Sequence, residues 1–436
     1  MTLISPINRR SIQSSATVAP MAAQRQMRWT FGMIMAVMAA VLFLISMAPS
    51  TFGGAEGLNY AWRLGLFVLL LGAILDTRGL FLNRATISIF APWCLLLFLH
   101  SLFFVFSQET MFLALRSVVL MFFVSALIGA SAASAPESDF LRTFFFTVFL
   151  GLMVLLMMAV SNVLIGGWTW QEARLAKAEL QFSGAFSANS AIFILVLSAF
   201  YLFSGSRRMK IGVLLVLSIA SIILATRTPI AAAVLTIAIV AVWAKVSRLA
   251  SAGNLRPLAT LFSITILGTL FGFGIYASLA DNPDIAQALA GRTNLWGIAL
   301  DRWSNEPFFG SGPISIAEAM ANSFSILNFT ESWQVDRLQN LVGGGLHSVW
   351  FQTLAMYGIM GFLVLTWLFV RLLTMALVAD QSTGLAAIVV YVMVGGHFEY
   401  AGLFANPNGP LDFMAAIAVF HSAATAKRVK RLRDEL

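Results

Sequence analysis

The stretch KIGVLLVLSIASIILATRTPIAAAVLTIAIVAVWAK, residues 210–245, decides the class of this protein. Between Lys210 and Lys245 the only charged side chain is Arg227, and the Ala-Thr-Arg-Thr-Pro segment around it divides apolar runs at 210–226 and 228–246. A run of about 17 to 25 apolar residues is the length of helix that crosses a bilayer's hydrocarbon core. The stretch therefore reads as a membrane hairpin. Ten further runs have the same character, at 29–48, 60–76, 85–106, 111–132, 142–165, 188–204, 257–279, 347–370, 383–398 and 410–424. The expected fold is an all-α polytopic membrane protein of about twelve transmembrane helices.

Composition agrees. The 436 residues are 59% hydrophobic and 11% charged, with a mean hydropathy of +0.86, against about 45–50% apolar and about 25% charged in a soluble domain. This excludes a soluble, disordered or nucleic-acid-binding chain, each of which needs far more polar surface. Cys94 is the single cysteine, so no intrachain disulfide or cysteine metal site is possible. The four histidines show no metal-ligand spacing, and neither a metal nor a cofactor is expected.

Charge sets the orientation. With the N-terminus cytoplasmic, nineteen of the 27 Lys and Arg fall on the cytoplasmic side, including the basic tail. Six fall outside: Arg174, Lys177, Arg227, Arg292, Arg302 and Arg337. Arg63 and Arg116 lie within apolar runs. The chain divides into a cytoplasmic tail at 1–28, helices 1–9 at 29–279, a long periplasmic loop at 280–346, helices 10–12 at 347–424 and a basic cytoplasmic tail at 425–436. The first run is too long for a signal peptide and reads as a retained helix.

The long loop is the expected functional segment. Leu295, Trp296, Ala299, Leu300 and Trp303 recur at helical spacing after Arg292, predicting an amphipathic helix lying on the membrane. Phe324 to Leu341 is expected to pack beside it, and Gly343-Gly344-Gly345 hinges the chain into the next span.

Charged groups near the outer face are costly and therefore informative. Arg227 precedes Pro229, which suits a first helical turn whose N–H groups face an anion. Arg292 opens the loop helix with a planar fork of donors where the helix dipole favours negative charge. Arg63 is a weaker candidate that could equally snorkel to the outer interface, and Arg174 with Lys177 reads first as a solvated face. His347, where the loop re-enters the bilayer, suits a general base acting on a hydroxyl. His100 and His421 read as structural, and His397 with Glu399 as ambiguous. Asp281 and Asp284 fit turn chemistry better than a metal site.

Phe186-Ser-Ala-Asn189, Ala225-Thr-Arg227-Thr-Pro229, Gly291-Arg292 with Leu295-Trp296, Pro307-Phe-Phe-Gly310-Ser-Gly312 and His347-Ser-Val-Trp-Phe-Gln-Thr stand in that order. Together they resemble the O-antigen ligase and polymerase family, closest to its exopolysaccharide-polymerase branch. The Ser-Ala-Asn189 segment lacks the proline usual before that asparagine. The resemblance implies a GT-C-like, metal-independent, inverting glycosyltransferase at the periplasmic face of the bacterial inner membrane. It implies undecaprenyl-diphosphate-linked glycan as donor, a glycan acceptor, and a chain-length regulator and flippase as further partners. By the same resemblance His347 is catalytic, Arg227 and Arg292 bind the diphosphate, and Arg63, Arg174, Asn189 and Arg337 are further substrate-binding candidates. A ligase acting on lipid A core shares these motifs. Two other classes stay open: a secondary transporter, for which Arg116 is the best feature, and a peptidoglycan polymerase of the SEDS type, for which Asp301 or Asp336 would be the key carboxylate.

Overall fold

The computed structural model describes residues 30–47, 61–77, 87–88, 91–96, 99, 121–135, 139–167, 169, 188–250, 255–279, 292–312, 346, 348–379, 384–398 and 410–434. Among these residues the elements are helices: α1 Phe31–Met47, α2 Ala61–Thr77, α3 Met121–Ser134, α4 Phe140–Ile165, α5 Ala188–Leu202, α6 Arg207–Ile223, α7 Thr228–Leu249, α8 Leu255–Leu279, α9 Arg292–Asn305, α10 Val349–Ala379, α11 Gly384–Phe398 and α12 Pro410–Asp434. Four are long and apolar enough to cross a membrane: Phe140–Ile165, Thr228–Leu249, Leu255–Leu279 and Val349–Val378, with mean hydropathies of 2.5, 2.1, 1.9 and 2.1. Five shorter apolar helices accompany them. The expected run at 85–106 lies mostly outside the described residues, as does the first half of the run at 111–132.

Burial is distributed as a bilayer demands. On α11 every residue from Ala386 to His397 is buried, and on α5 every residue from Ala191 to Phe200, so these two helices run through the centre of the bundle. Helices α4, α6, α7 and α8 carry their apolar side chains outward instead, Val154, Leu215, Ile219, Val234 and Leu261 among them. Such a surface would aggregate in water and is at rest against lipid chains. Buried hydroxyls within the spans mostly donate to the carbonyl one turn back, as Thr77 does to Ala73, Thr236 to Ala232, Ser263 to Ala259 and Ser422 to Ala418, each at 2.7 Å. A polar group in hydrocarbon needs such a partner.

Contacts between helix ends show how the bundle is threaded. At one end the start of α1 meets the end of α2, where a Cβ on Gly32 would stand 2.5 Å from that of Asp76. At that end too the Trp243 indole N–H donates to the Leu377 carbonyl at 3.1 Å, and Thr260 and Thr374 hydroxyls lie 3.4 Å apart. At the other end the Tyr391 hydroxyl donates to the Pro229 carbonyl at 3.4 Å. There Gly274 of α8 abuts Phe351 of α10 and His397 of α11. The starts of α5, α7 and α9 thus share one end with the finishes of α8 and α11, the end that the charge pattern predicts to be extracytoplasmic.

Two expectations are corrected, for the loop helix and for the run at 347–370. The loop helix Arg292–Trp303 exists as α9, but its apolar face does not lie on lipid: Leu295, Trp296 and Ala299 are buried against α8 and α10, with Trp296 stacked on Phe351 at 5.0 Å and 9°. The last helix runs on to Asp434, so the basic segment after 424 continues it. The run at 347–370 is not one straight span. Gly358 within α10 has φ 63° and ψ −161°, and the Trp350 ring lies 6.0 Å from Phe362 and 5.2 Å from Phe369. In a straight helix those pairs would be about 18 and 28 Å apart. Residues 349–357 therefore fold back as a short arm along 359–379, and a Cβ on Gly361 would stand 3.3 Å from Thr353 Cγ2. The long arm, at about 31 Å, is by itself the length of the hydrocarbon core. The short arm begins inside the bundle, between the levels of Phe362 and Phe369.

Candidate functional site

The break in α10 is held by the loop that follows α9. Backbone N–H groups of Ile359 and Met360 donate to the carbonyls of Pro307 and Phe308 at 2.8 and 3.3 Å, and the Ser311 N–H donates to the Ala355 carbonyl at 2.9 Å. A broken helix frees carbonyls and N–H groups that are costly to bury unsatisfied, and the Pro307–Ser311 strap supplies partners for two of the N–H groups and one of the carbonyls. Gly310 has φ 71° and a Cβ there would stand 2.5 Å from Gly358 N, while a Cβ on Gly358 would collide with Phe308. Only glycine fits at this crossing.

The strap fixes α9 relative to α10, and α9 carries Arg292 at its first position. Arg292 is half-buried, and Trp296, four residues on, lies on the same face one turn away. Trp296 packs on Phe351 and stands 5.5 Å from the His397 ring. Arg227 is the exposed N-cap of α7, followed by Pro229 in the first turn. The turn before it is tight: Ala225 has φ 51°, the Thr226 N–H donates to the Ser221 carbonyl at 2.8 Å, and the Ser221 and Thr226 hydroxyls are 2.8 Å apart. A non-glycine residue at positive φ costs about 1–2 kcal/mol, and the bonds on both sides hold it there. Asn189 lies one turn before Phe193, which stacks on Tyr391 at 4.5 Å and abuts Gly395.

Residues 192–366 match the O-antigen ligase family. No curated protein matches the chain. The matched region runs from α5 through the short arm of α10 and into its long arm, and so includes Arg227, Arg292 and the 346–348 segment. The match, with the four apolar helices long enough to cross a membrane, points to glycan processing at a membrane. This agrees with the family that the ordered motifs resemble.

Of the expected site residues, the fold brings the helix starts that carry Arg227, Arg292 and Asn189 to one end of the bundle, together with Leu346 and Ser348, both fully buried. His347, Arg174 and Arg337 lie outside the described residues, as does Arg116. Arg63 is exposed on α2 with its guanidinium 5.3 Å from the Trp62 ring, and Trp62 packs on Phe413 of α12 at 4.6 Å, so its neighbours are those of another face. The sequence left His397 ambiguous; in the fold it is fully buried within the aromatic group formed by Trp296, Phe351 and Phe398. No local signal in Val-Gly-Gly-His distinguishes it from His421, because its partners come from α8, α9 and α10.

Proposed function

We propose that this protein is a GT-C-like membrane glycosyltransferase of about twelve spans with both termini cytoplasmic, which polymerises undecaprenyl-diphosphate-linked oligosaccharide repeats into exopolysaccharide or O-antigen at the periplasmic face of the inner membrane. The observation that carries the reading is the O-antigen ligase match over 192–366, whose residues bring the Arg227-bearing and Arg292-bearing helix starts to the same end as Ser348.

In the reaction the oxygen of an acceptor sugar hydroxyl attacks the anomeric carbon of the donor, the carbon–oxygen bond to the diphosphate breaks, and undecaprenyl diphosphate leaves. The hydroxyl proton passes to the imidazole of His347 as general base. A diphosphate leaves readily once its growing charge is stabilised, and the forks of Arg227 and Arg292 supply that without a metal. One displacement inverts the anomeric configuration. Asn189, Arg174 and Arg337 are assigned to glycan contacts.

The test is a mass-spectrometric profile of lipid-diphosphate-linked sugars and surface polysaccharide in a deletion strain complemented with wild type, His347→Ala or Arg292→Ala. Single lipid-linked repeats with polymer lost, and no rescue by either variant, is the expected result. Long lipid-linked chains missing from lipid A core would make the protein a ligase instead, and an unchanged profile would remove the glycosyltransferase reading. The broken helix at Gly358 also suits a transporter, whose discontinuous helices bind substrate and ions. Here, though, the broken backbone is hydrogen-bonded to the Pro307–Ser311 strap.

A further inference from the structure

Four polar groups around His397 are buried with no hydrogen-bond partner among the described residues: the Trp296 indole N–H, the Ser348 hydroxyl, the Gln352 Oε1 and both ring nitrogens of His397. Each parent residue is at most 5% exposed. They are carried by helices that pack on one another, α9 and α11 each against α10. Trp296 faces His397 at 5.5 Å and both pack on Phe351. The Gln352 N–H donates to the Ser348 carbonyl at 2.9 Å, so the turn is helical from Ser348 onward, and Ser348, Phe351 and Gln352 fall within one arc of about 100° on the short arm. That arc is the face that Phe351 turns to α8, α9 and α11, opposite the face of Trp350 and Thr353 that packs on the long arm.

An unsatisfied buried polar group is a net cost to folding, and a cluster held at such cost calls for a compensating partner. Elsewhere many buried hydroxyls meet carbonyls one turn back; the other unpartnered atoms are scattered, with Ser198, His421 and Thr425 near Tyr201, Trp350 and Thr353 on the opposite face of the short arm, Thr366 on the long arm and Ser125 on α3. What distinguishes the cluster around His397 is its chemistry and place. It offers one obligate donor, one obligate acceptor and two groups able to act as either, with no charge. Aromatic faces wall it. Uncharged donors and acceptors beside an aromatic face complement the hydroxyls and C–H face of a sugar ring, not a phosphate and not a lipid chain. Arg292 lies one turn away on the face of α9 that carries Trp296, a separation of about 5.4 Å, which is close to the span from a diphosphate to the sugar joined to it.

We propose that Trp296, Ser348, Gln352 and His397 form an uncharged hydroxyl-binding pocket for the donor's first sugar, the one joined to the diphosphate held by Arg292. The assignment of the ligand as a lipid-linked sugar rests on the proposed function. Occupation requires the first turn of α9 to part from α10, at the expense of the Trp296–Phe351 stack. The pocket orients the ring whose anomeric carbon is attacked.

The test compares equilibrium binding of two lipids to the full-length protein in nanodiscs: undecaprenyl diphosphate without sugar, and the repeat-bearing lipid extracted from cells lacking the protein. Wild type should prefer the sugar-bearing lipid. His397→Phe and Gln352→Leu keep shape but remove the unpartnered polar atoms, and each should weaken that preference about tenfold while affinity for undecaprenyl diphosphate stays unchanged. Both variants should also show a thermal midpoint no lower than wild type, since an apolar group replaces an unsatisfied one. A merely structural role predicts the reverse, a lowered midpoint with the preference intact. Arg292→Ala should weaken both lipids together. If either well-folded variant keeps the full preference, the pocket is wrong and the glycosyltransferase reading stands. If wild type itself shows no preference, that reading fails and the pocket fails with it.

Discussion

Arg227 shows how a single residue can be exposed and still be placed. Its backbone caps α7 behind the Ala225 turn, where the Ser221–Thr226 bonds hold a positive φ against its natural preference. Backbone strain of this kind persists where the surrounding structure over-determines it, and here it sets where the guanidinium starts. Arg227→Lys keeps the charge but loses the two-pronged geometry that suits a phosphate. It should lower kcat/KM about tenfold, and Arg227→Ala about 10² to 10³-fold, the range seen when one transition-state donor is removed. Turnover of the extracted repeat-bearing lipid by purified protein checks both values; equal activity of Lys and Ala variants would show that the fork is not used.

At the scale of elements, the decisive feature is the folded α10. Its short arm delivers Ser348, Phe351 and Gln352 into the bundle, and its long arm does the crossing. Gly358 lies at a combination of φ and ψ open essentially to glycine alone, and its backbone is crossed by the strap. Gly358→Ala should therefore combine backbone strain of about 1–3 kcal/mol with overpacking of about 1–3 kcal/mol. The expected result is a marked fall in yield and in the thermal midpoint of detergent-purified protein. Gly268→Ala, on α8 where nothing lies within 4 Å of the added methyl, is the control and should leave both unchanged. Equal behaviour of the two variants would mean that the break is not required.

For the whole molecule the testable quantity is orientation. Cys94 is the only native thiol, so a Cys94→Ser background can carry single reporters. Gly205, exposed in the turn before Arg207 and Arg208, should become a cysteine that a membrane-impermeant maleimide reaches only after the cells are opened. Asn305, exposed at the end of α9, should be labelled on intact spheroplasts. Labelling with the sides exchanged would invert the topology and remove Arg227 and Arg292 from the periplasmic face.

Much of this was legible in the residues. The apolar runs at 142–165, 188–204, 228–246, 257–279, 383–398 and 410–424 coincide with α4, α5, α7, α8, α11 and α12, and α9 begins at Arg292 as its spacing requires. Desolvation of a span and the period of a helix depend on neighbours within some twenty positions, and composition over that window decides them. The motifs in order carried the family for the same reason, being local strings. The fold of α10 and the company of His397 were not legible. Gly358 in an apolar run reads as any membrane-helix glycine, since glycine is common there; it becomes a reversal only because Pro307 and Phe308, some fifty residues earlier, offer carbonyls to the N–H groups it frees. His397 becomes a buried polar group beside Trp296 only once α9 has docked. Local hydropathy determined which segments enter the membrane; the tertiary structure alone decided which polar groups meet inside it, because those meetings are hydrogen-bond and packing contacts between distant parts of the chain.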